Sequence, residues 1–283
     1  MTRAEQLQWE ARWARPAGIA ALASALLLIV SAMVFFPKDR KGIEPNPDLL
    51  LSIDEQSGGY LASELLSALS ALLLCIVFYY LFTAVIARGG GIPRWFVYLV
   101  FAGPVLYAAS RVAGALEAID LADEFVDDGI IRGQRGEDHA SDLSGAGPAL
   151  LALATAGTVA LAFLFVMLPI RARRVGLLSP FMGVLGAIAG ALIIIPLASV
   201  SSVIQAFWLG AVGALFLGRW PGGRGPAWET GEAEPWPTAA QRRGEAPPAK
   251  KEEPAELDPS LPPEPEPVPE RPASRKRRKK KKH

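Results

Sequence analysis

The chain has 283 residues, 51% of which are hydrophobic, and its mean hydropathy is +0.27. Soluble globular chains are about 45–50% apolar, so this composition favours a membrane protein. The charges nearly cancel, with 29 Lys and Arg residues against 28 Asp and Glu residues. A single cysteine, Cys75, excludes an internal disulfide framework and a thiolate metal cage. The two histidines, His139 and His283, are too few for most metalloenzyme and Ser–His chemistry.

Long apolar runs define the predicted architecture. A membrane-spanning helix needs about 20 mostly apolar residues, because each adds about 1.5 Å across a hydrocarbon core of about 30 Å. Six runs meet this requirement: 17–36, 60–87, 95–118, 148–170, 177–198 and 201–218. The last two come from one uncharged stretch that folds back either at 199–202 or one turn earlier, at Pro196. The sequence therefore predicts an all-α, polytopic bundle of six transmembrane helices within residues 1–220.

The distribution of Lys and Arg predicts the orientation, since cytoplasmic loops are enriched in both. One side receives ten of them: Arg3, Arg12, Arg15, Arg88, Arg94, Arg171, Arg173, Arg174, Arg219 and Arg224. The other side receives five: Lys38, Arg40, Lys41, Arg132 and Arg135. Both termini are therefore predicted to be cytoplasmic. The first apolar run is longer than the 7–15 residues usual in a signal peptide, so we expect an uncleaved anchor.

Residues 221–283 have a different composition, with 14 prolines among 63 residues and few large aliphatic side chains. Such a segment cannot bury enough apolar area to offset its conformational entropy, so a disordered cytoplasmic tail is predicted. It ends in eight consecutive bases: Arg275, Lys276, Arg277, Arg278, Lys279, Lys280, Lys281 and Lys282. A run of this kind is either a solvated end or a contact for anionic lipid head groups, RNA or another partner. It contains no aromatic residue, so base stacking is not indicated.

Two charged residues within the spans are the candidate polar site, because ionisable groups in a membrane are costly and are often functional. Glu64 in span two and Arg111 in span three lie at similar depths, so an ion pair between neighbouring antiparallel helices is predicted. Glu117 is a competing partner, and Tyr107 and Ser110 lie beside Arg111. Three interpretations stay open: a structural pair, two side chains that snorkel to the interface, or a polar site lining the cavity of a permease.

Small residues recur along spans four to six and predict close helix packing. They are Ala152, Ala156 and Ala160, then Gly186 and Gly190, then Ala206, Gly210, Ala214 and Gly218. Such stripes serve either contacts within one bundle or a homo-oligomer face on spans five and six.

Signatures of catalysis are missing from the sequence. It has no H-E-x-x-H, G-x-S-x-G or Walker motif. The acidic loop 119–147 does not have the ligand spacing of an EF-hand. We therefore expect no enzyme activity, no cofactor and no metal site.

The opening run Trp-Glu-Ala-Arg-Trp-Ala-Arg-Pro-Ala-Gly-Ile-Ala-Ala-Leu at 9–22, the arginine in span three and the ending Ser-Arg-Lys-Arg-Arg-Lys-Lys-Lys-Lys resemble multi-pass membrane proteins of high-GC actinobacteria whose function is uncharacterised. This resemblance implies a bacterial inner-membrane protein and transfers no site residues. The function expected is that of a non-enzymatic structural or interaction protein whose basic tail contacts anionic lipid, RNA or a partner. The alternative is a small-molecule or ion permease with a polar site near Glu64 and Arg111.

Overall fold

The computed structural model describes residues 2–35, 47–129, 133–143, 147–195 and 199–237. These residues form nine helices and no strand, so the predicted all-α class is confirmed for them. The helices are α1 (Arg3–Val34), α2 (Pro47–Glu55), α3 (Ser57–Ala87), α4 (Phe96–Asp127), α5 (Gly133–Leu143), α6 (Pro148–Arg174), α7 (Pro180–Ile194), α8 (Ser199–Phe216) and α9 (Pro226–Thr230).

Four helices, α1, α3, α4 and α6, are long and apolar enough to cross a membrane. Spans 60–87 and 148–170 fall within α3 and α6, whereas α1 ends two residues before the end of 17–36 and α4 begins one residue after the start of 95–118. Helix α1 begins at Arg3, because Thr2 and Glu5 form a capping box that satisfies the first backbone N–H groups. Large apolar side chains such as Ile19 and Leu26, each 61% exposed, point outward from the bundle. Outward apolar faces of this kind suit a lipid environment.

The six longest helices form a ring in which α1 contacts α3, α3 contacts α4, α4 contacts α6, α6 contacts α7, α7 contacts α8, and α8 returns to α1. The interior is filled by aromatic side chains from three of them. Phe165 of α6 packs edge-on against Phe78 of α3 at 5.1 Å and against Trp208 of α8 at 5.2 Å. The indole nitrogen of Trp208 donates to the carbonyl of Met182, so its polar group is satisfied inside the core.

Helices α7 and α8 have 15 and 18 residues and are shorter than the other four. Because α8 already begins at Ser199, the prediction of a turn at 199–202 is wrong. The alternative, Pro196, lies outside the described residues. Close packing of α7 on α6 depends on glycine, since a Cβ atom at Gly190 would lie 2.7 Å from the carbonyl oxygen of Ala162. The small residues of α7 thus serve a contact within the bundle.

Buried serines join α1 to α3. The hydroxyl groups of Ser24 and Ser70 lie 2.8 Å apart, and each also lies 3.0 Å from the other residue's carbonyl oxygen. Two turns further along α1, Ser31 accepts two bonds from α3. Ser63 donates to the carbonyl of Ser31 at 2.9 Å, and Ser67 donates to the hydroxyl of Ser31 at 3.2 Å. Small serine side chains let neighbouring membrane helices approach closely, and the hydrogen bonds between them hold the helices together.

The segment between the first and second predicted spans and the segment between the third and fourth both contain helices. Helix α4 continues to Asp127, and α2 and α5 pack against its last turns. Phe125 is fully buried there with Leu50 and Ile53 of α2 and Ala140 of α5. Burial of this small apolar cluster stabilises helices in these segments, although their acidic composition predicts loops.

We refer to the end of the bundle where α1 and α4 begin as the Arg88 end, and to the opposite end as the Glu64 end. Residues 221–237, here called the capping segment, include α9 and pack across the Arg88 end. This packed segment lies beyond residue 221, where the sequence predicts disorder to begin. Two tryptophans explain the difference, because buried Trp228 and partly buried Trp236 pack against the core and anchor an otherwise polar stretch. Residues 238–283 lie outside the described residues.

Candidate functional site

The structure brings Glu64 of α3 and Arg111 of α4 together. The guanidinium Nη2 of Arg111 lies 2.5 Å from each carboxylate oxygen of Glu64. The Glu64 side chain is 10% exposed and that of Arg111 is 39% exposed. Ala68, Ala71 and Ala108 fill the adjoining contact between the two helices. These small side chains let α3 and α4 approach closely enough for the charged groups to meet.

The other three residues predicted near this pair have different roles. Ser110 donates from its hydroxyl to the carbonyl of Tyr107 at 2.8 Å, so it is satisfied within its own helix. Tyr107 precedes Arg111 by four residues and therefore lies on the same side of α4. Glu117 accepts a hydrogen bond from the backbone N–H of Gly147 at 3.2 Å. It therefore lies at the first turn of α6, where a negative charge complements the helix dipole.

Within the described residues, only part of the hydrogen-bonding capacity of the Arg111 guanidinium is used. Its Nη2 group pairs with Glu64, whereas its buried Nε has no hydrogen-bond partner among the described residues. The backbone beneath the pair is held closely, because a Cβ atom at Gly157 of α6 would lie 2.6 Å from the backbone nitrogen of Tyr107. Helices α4 and α6 thus pack closely beside the ion pair, while the side chain of Arg111 is partly exposed.

A second ion pair, which sequence reasoning missed, lies at the Arg88 end. Arg88 binds both carboxylate oxygens of Glu10, with Nη1 at 2.5 Å and Nη2 at 2.9 Å. Both side chains are almost completely shielded, at 0% and 3% exposed. Gln6 also donates to the Glu10 carboxylate at 2.9 Å. The sequence places Arg88 in a polar turn, whereas the structure buries it between α1 and α3.

Every N–H group of the Arg88 guanidinium has an acceptor. Besides the two bonds to Glu10, Nη1 donates to the carbonyl of Ala84 at 2.9 Å. Nε and Nη2 donate to the carbonyl of Ala227 in the capping segment at 3.0 and 2.7 Å. The arginine fork therefore binds three parts of the chain, and such full satisfaction is what burial of a charge requires.

Trp228 completes the cover over this end. Its ring stacks on Tyr80 at 5.5 Å with an interplanar angle of 9°. The guanidinium carbons of Arg88 and Arg224 lie 5.5 and 4.8 Å from its ring centroid, within the range of cation–π attraction. Its indole nitrogen donates to the carbonyl of Leu177 at 2.9 Å. The capping segment is thus fixed to α3 and to the link between α6 and α7.

The basic cluster 275–282 lies outside the described residues. Within the part of the chain that the structure describes, no group of three or more His, Cys, Asp or Glu side chains is arranged to hold a metal ion. Comparison with protein-family models, with curated protein sequences and with solved structures finds no match to this chain.

Proposed function

We propose that this protein is a non-enzymatic bacterial inner-membrane protein whose basic tail contacts the anionic surface of the membrane that holds it. In this proposal α1, α3, α4, α6, α7 and α8 are six spans, and both termini are cytoplasmic. The pairing of α7 with α6 and of α8 with α1 supports the count, since the short pair completes the ring. The accumulation of arginines at the Arg88 end supports the orientation.

The capping segment is the observation that carries the proposal. It packs against the Arg88 end through Ala227, Trp228 and Trp236, and the described part of the chain ends at Pro237. The 37 residues 238–274 separate this point from the basic cluster. As a flexible chain they span about 30–37 Å, and as extended polyproline about 115 Å. The cluster is therefore tethered within reach of the adjacent bilayer surface.

Charge and tethering favour lipid over RNA. Each Lys or Arg near an anionic leaflet contributes about 1 kcal/mol, so eight contribute at most about 8 kcal/mol before ordering costs. Tethering makes the contact intramolecular, which raises the effective concentration of the surface to about the millimolar range. Attraction of this kind weakens at high salt, because the Debye length falls from about 8 Å at 0.15 M to about 3 Å at 1 M.

A single reporter tests this contact, since Cys75 is the only cysteine. In a Cys75→Ala background, Ser274→Cys carries an environment-sensitive dye, and the full chain is placed in nanodiscs. We expect a dye response in discs with phosphatidylglycerol, none in phosphatidylcholine discs, and reversal at 1 M salt. The matched control changes all eight bases to Gln and should abolish the response. An equal response in neutral discs, or a response to added RNA alone, overturns the proposal.

The alternative function, a permease with a polar site near Glu64 and Arg111, has one supporting observation. Arg111 is 39% exposed, so part of its side chain, although not the buried Nε, is accessible to a ligand. A double-mutant cycle with Glu64→Gln and Arg111→Gln, read as unfolding free energy in detergent, separates the two roles. A structural pair gives a coupling of about 0.5–3 kcal/mol. Neutral, uncoupled single variants together with stabilisation by a small ion favour the permease.

A further inference from the structure

We propose that the outward face of α3 near the Arg88 end binds one anionic phospholipid. Its acyl chain lies in a groove between α1 and α4, and its phosphate lies between Arg12 and Arg94. This inference rests on the proposed function, because it requires the Arg88 end to face an anionic leaflet. It differs from the tail contact in being a defined site on the bundle.

A continuous row of aromatic rings crosses the groove from α1 over α3 to α4. Trp13 lies 6.3 Å from Trp9, Trp9 lies 6.2 Å from Tyr79, and Tyr79 lies 5.5 Å from Phe101. Trp13, Tyr79 and Phe101 are 42%, 38% and 44% exposed, so the row is only half covered by the protein. Tryptophan and tyrosine prefer the head-group layer of a membrane. The row therefore marks the depth at which a lipid phosphate and the first part of its chain meet the bundle.

The groove continues along α3 towards the Glu64 end. Its floor is an outward row at helical spacing, formed by Leu65, Leu69, Leu72, Ile76 and Tyr79. Exposure along this row is 37–48%, similar to the 40% of Leu22 on α1 and the 44% of Phe101 on α4. The row is thus an outward apolar strip of α3 bounded by α1 and α4, which both contact α3. At about 1.5 Å per residue it extends about 21 Å, long enough for an acyl chain in one leaflet of about 15 Å.

Charge at the mouth of the groove selects an anionic head group. Arg12 is exposed and follows Trp9 by three residues, on the same side of α1. Arg94 is exposed and lies in the turn that leads into α4, two residues before Phe96. Within the described residues neither arginine forms an ion pair, in contrast to Arg88. The two cations flank the position where the aromatic row places a phosphate.

Native mass spectrometry of the full-length protein tests this site. Phosphatidylglycerol is titrated onto delipidated protein, with phosphatidylcholine and inorganic phosphate as separate probes. We expect one tightly held phosphatidylglycerol, weaker phosphatidylcholine and no phosphate adduct. The double change Arg12→Gln and Arg94→Gln should weaken the first binding step by about 30-fold, since two arginines at about 1 kcal/mol each are removed. Both side chains are exposed, so thermal unfolding without lipid should be unchanged.

The matched control is Arg174→Gln with Arg219→Gln, which removes the same charge from exposed positions at the same end but away from α3. An equal loss in this control, or equal affinity for phosphatidylcholine, overturns the site. Changing the eight tail bases to Gln separates this inference from the proposed function. If that change removes the bound lipid and the groove change does not, the groove is excluded while the tail contact stands. If the groove change removes the lipid and the dye on the tail does not respond, the tail contact fails instead.

Discussion

Replacing Glu10 with Gln tests whether the Arg88 end is held by the buried ion pair. The substitution keeps the shape of the side chain and removes its charge. Arg88 is 0% exposed, so its charge would remain in the interior without a counter-ion. Removing one partner of a buried pair typically costs about 3–5 kcal/mol, because the desolvation cost of the remaining charge is no longer offset.

A matched comparison exists in the same part of the molecule. Arg3 of α1 pairs with Glu232 at 2.6 Å, which also ties α1 to the capping segment, but these side chains are 53% and 67% exposed. Exposed pairs contribute about 0.2–1 kcal/mol. We therefore expect Glu232→Gln to lower the unfolding free energy by less than about 1 kcal/mol, and Glu10→Gln to lower it several times more.

Two measurements distinguish the variants. Denaturant unfolding in detergent gives the free energy, and limited trypsin cleavage at Arg219 and Arg224 reports release of the capping segment. For Glu10→Gln we expect both a lower midpoint and faster cleavage, whereas Glu232→Gln should resemble the parent protein. If both variants unfold at the same midpoint, burial does not set the strength of the pair and our reasoning about the Arg88 end is refuted.

Two further predictions concern helix packing. Ser24→Ala and Ser70→Ala should each cost about 0.6–1.7 kcal/mol of unfolding free energy in detergent, and the double variant should cost less than their sum because they share hydrogen bonds; additive losses would contradict this. Gly190→Ala should destabilise the bundle by about 1–3 kcal/mol in the same assay, because its Cβ atom meets the carbonyl of Ala162. Gly210→Ala is the control, because its Cβ atom meets nothing within 4 Å in the described part of the chain, so its unfolding free energy should not fall; an equal loss in both variants would contradict the packing argument.

The membrane helices could be predicted from the sequence because their signal is local. About 20 consecutive apolar residues suffice to require a helix in lipid, whatever the rest of the chain does. The ends of the helices could not be predicted in this way. Helix α1 extends to Arg3 through a capping box, and α4 extends to Asp127 because Phe125 finds a buried position against α2. Such extensions depend on contacts that hydropathy does not report.

The two ion pairs differ in how well the sequence predicts them. Glu64 and Arg111 attract attention because they interrupt apolar runs, and matched depth in adjacent helices was enough to predict their contact. Glu10 and Arg88 lie in polar flanks, where charges are ordinary, so their burial carries no local signal. Only the position of Trp228, far along the chain, turns that flank into an interior. Two tryptophans within a proline-rich stretch, Trp228 and Trp236, were the available indication.

The arrangement of these contacts makes α3 the central element of the bundle. It binds α4 through Glu64, α1 through Ser70, and both α1 and the capping segment through Arg88. The strength of these contacts is unequal, since Arg88 is fully buried while Arg111, the partner of Glu64, is 39% exposed. Relative motion of α3 and α4 at the Glu64 end is therefore less costly than motion at the Arg88 end. If the protein changes conformation, the Arg88 end and the capping segment should move together.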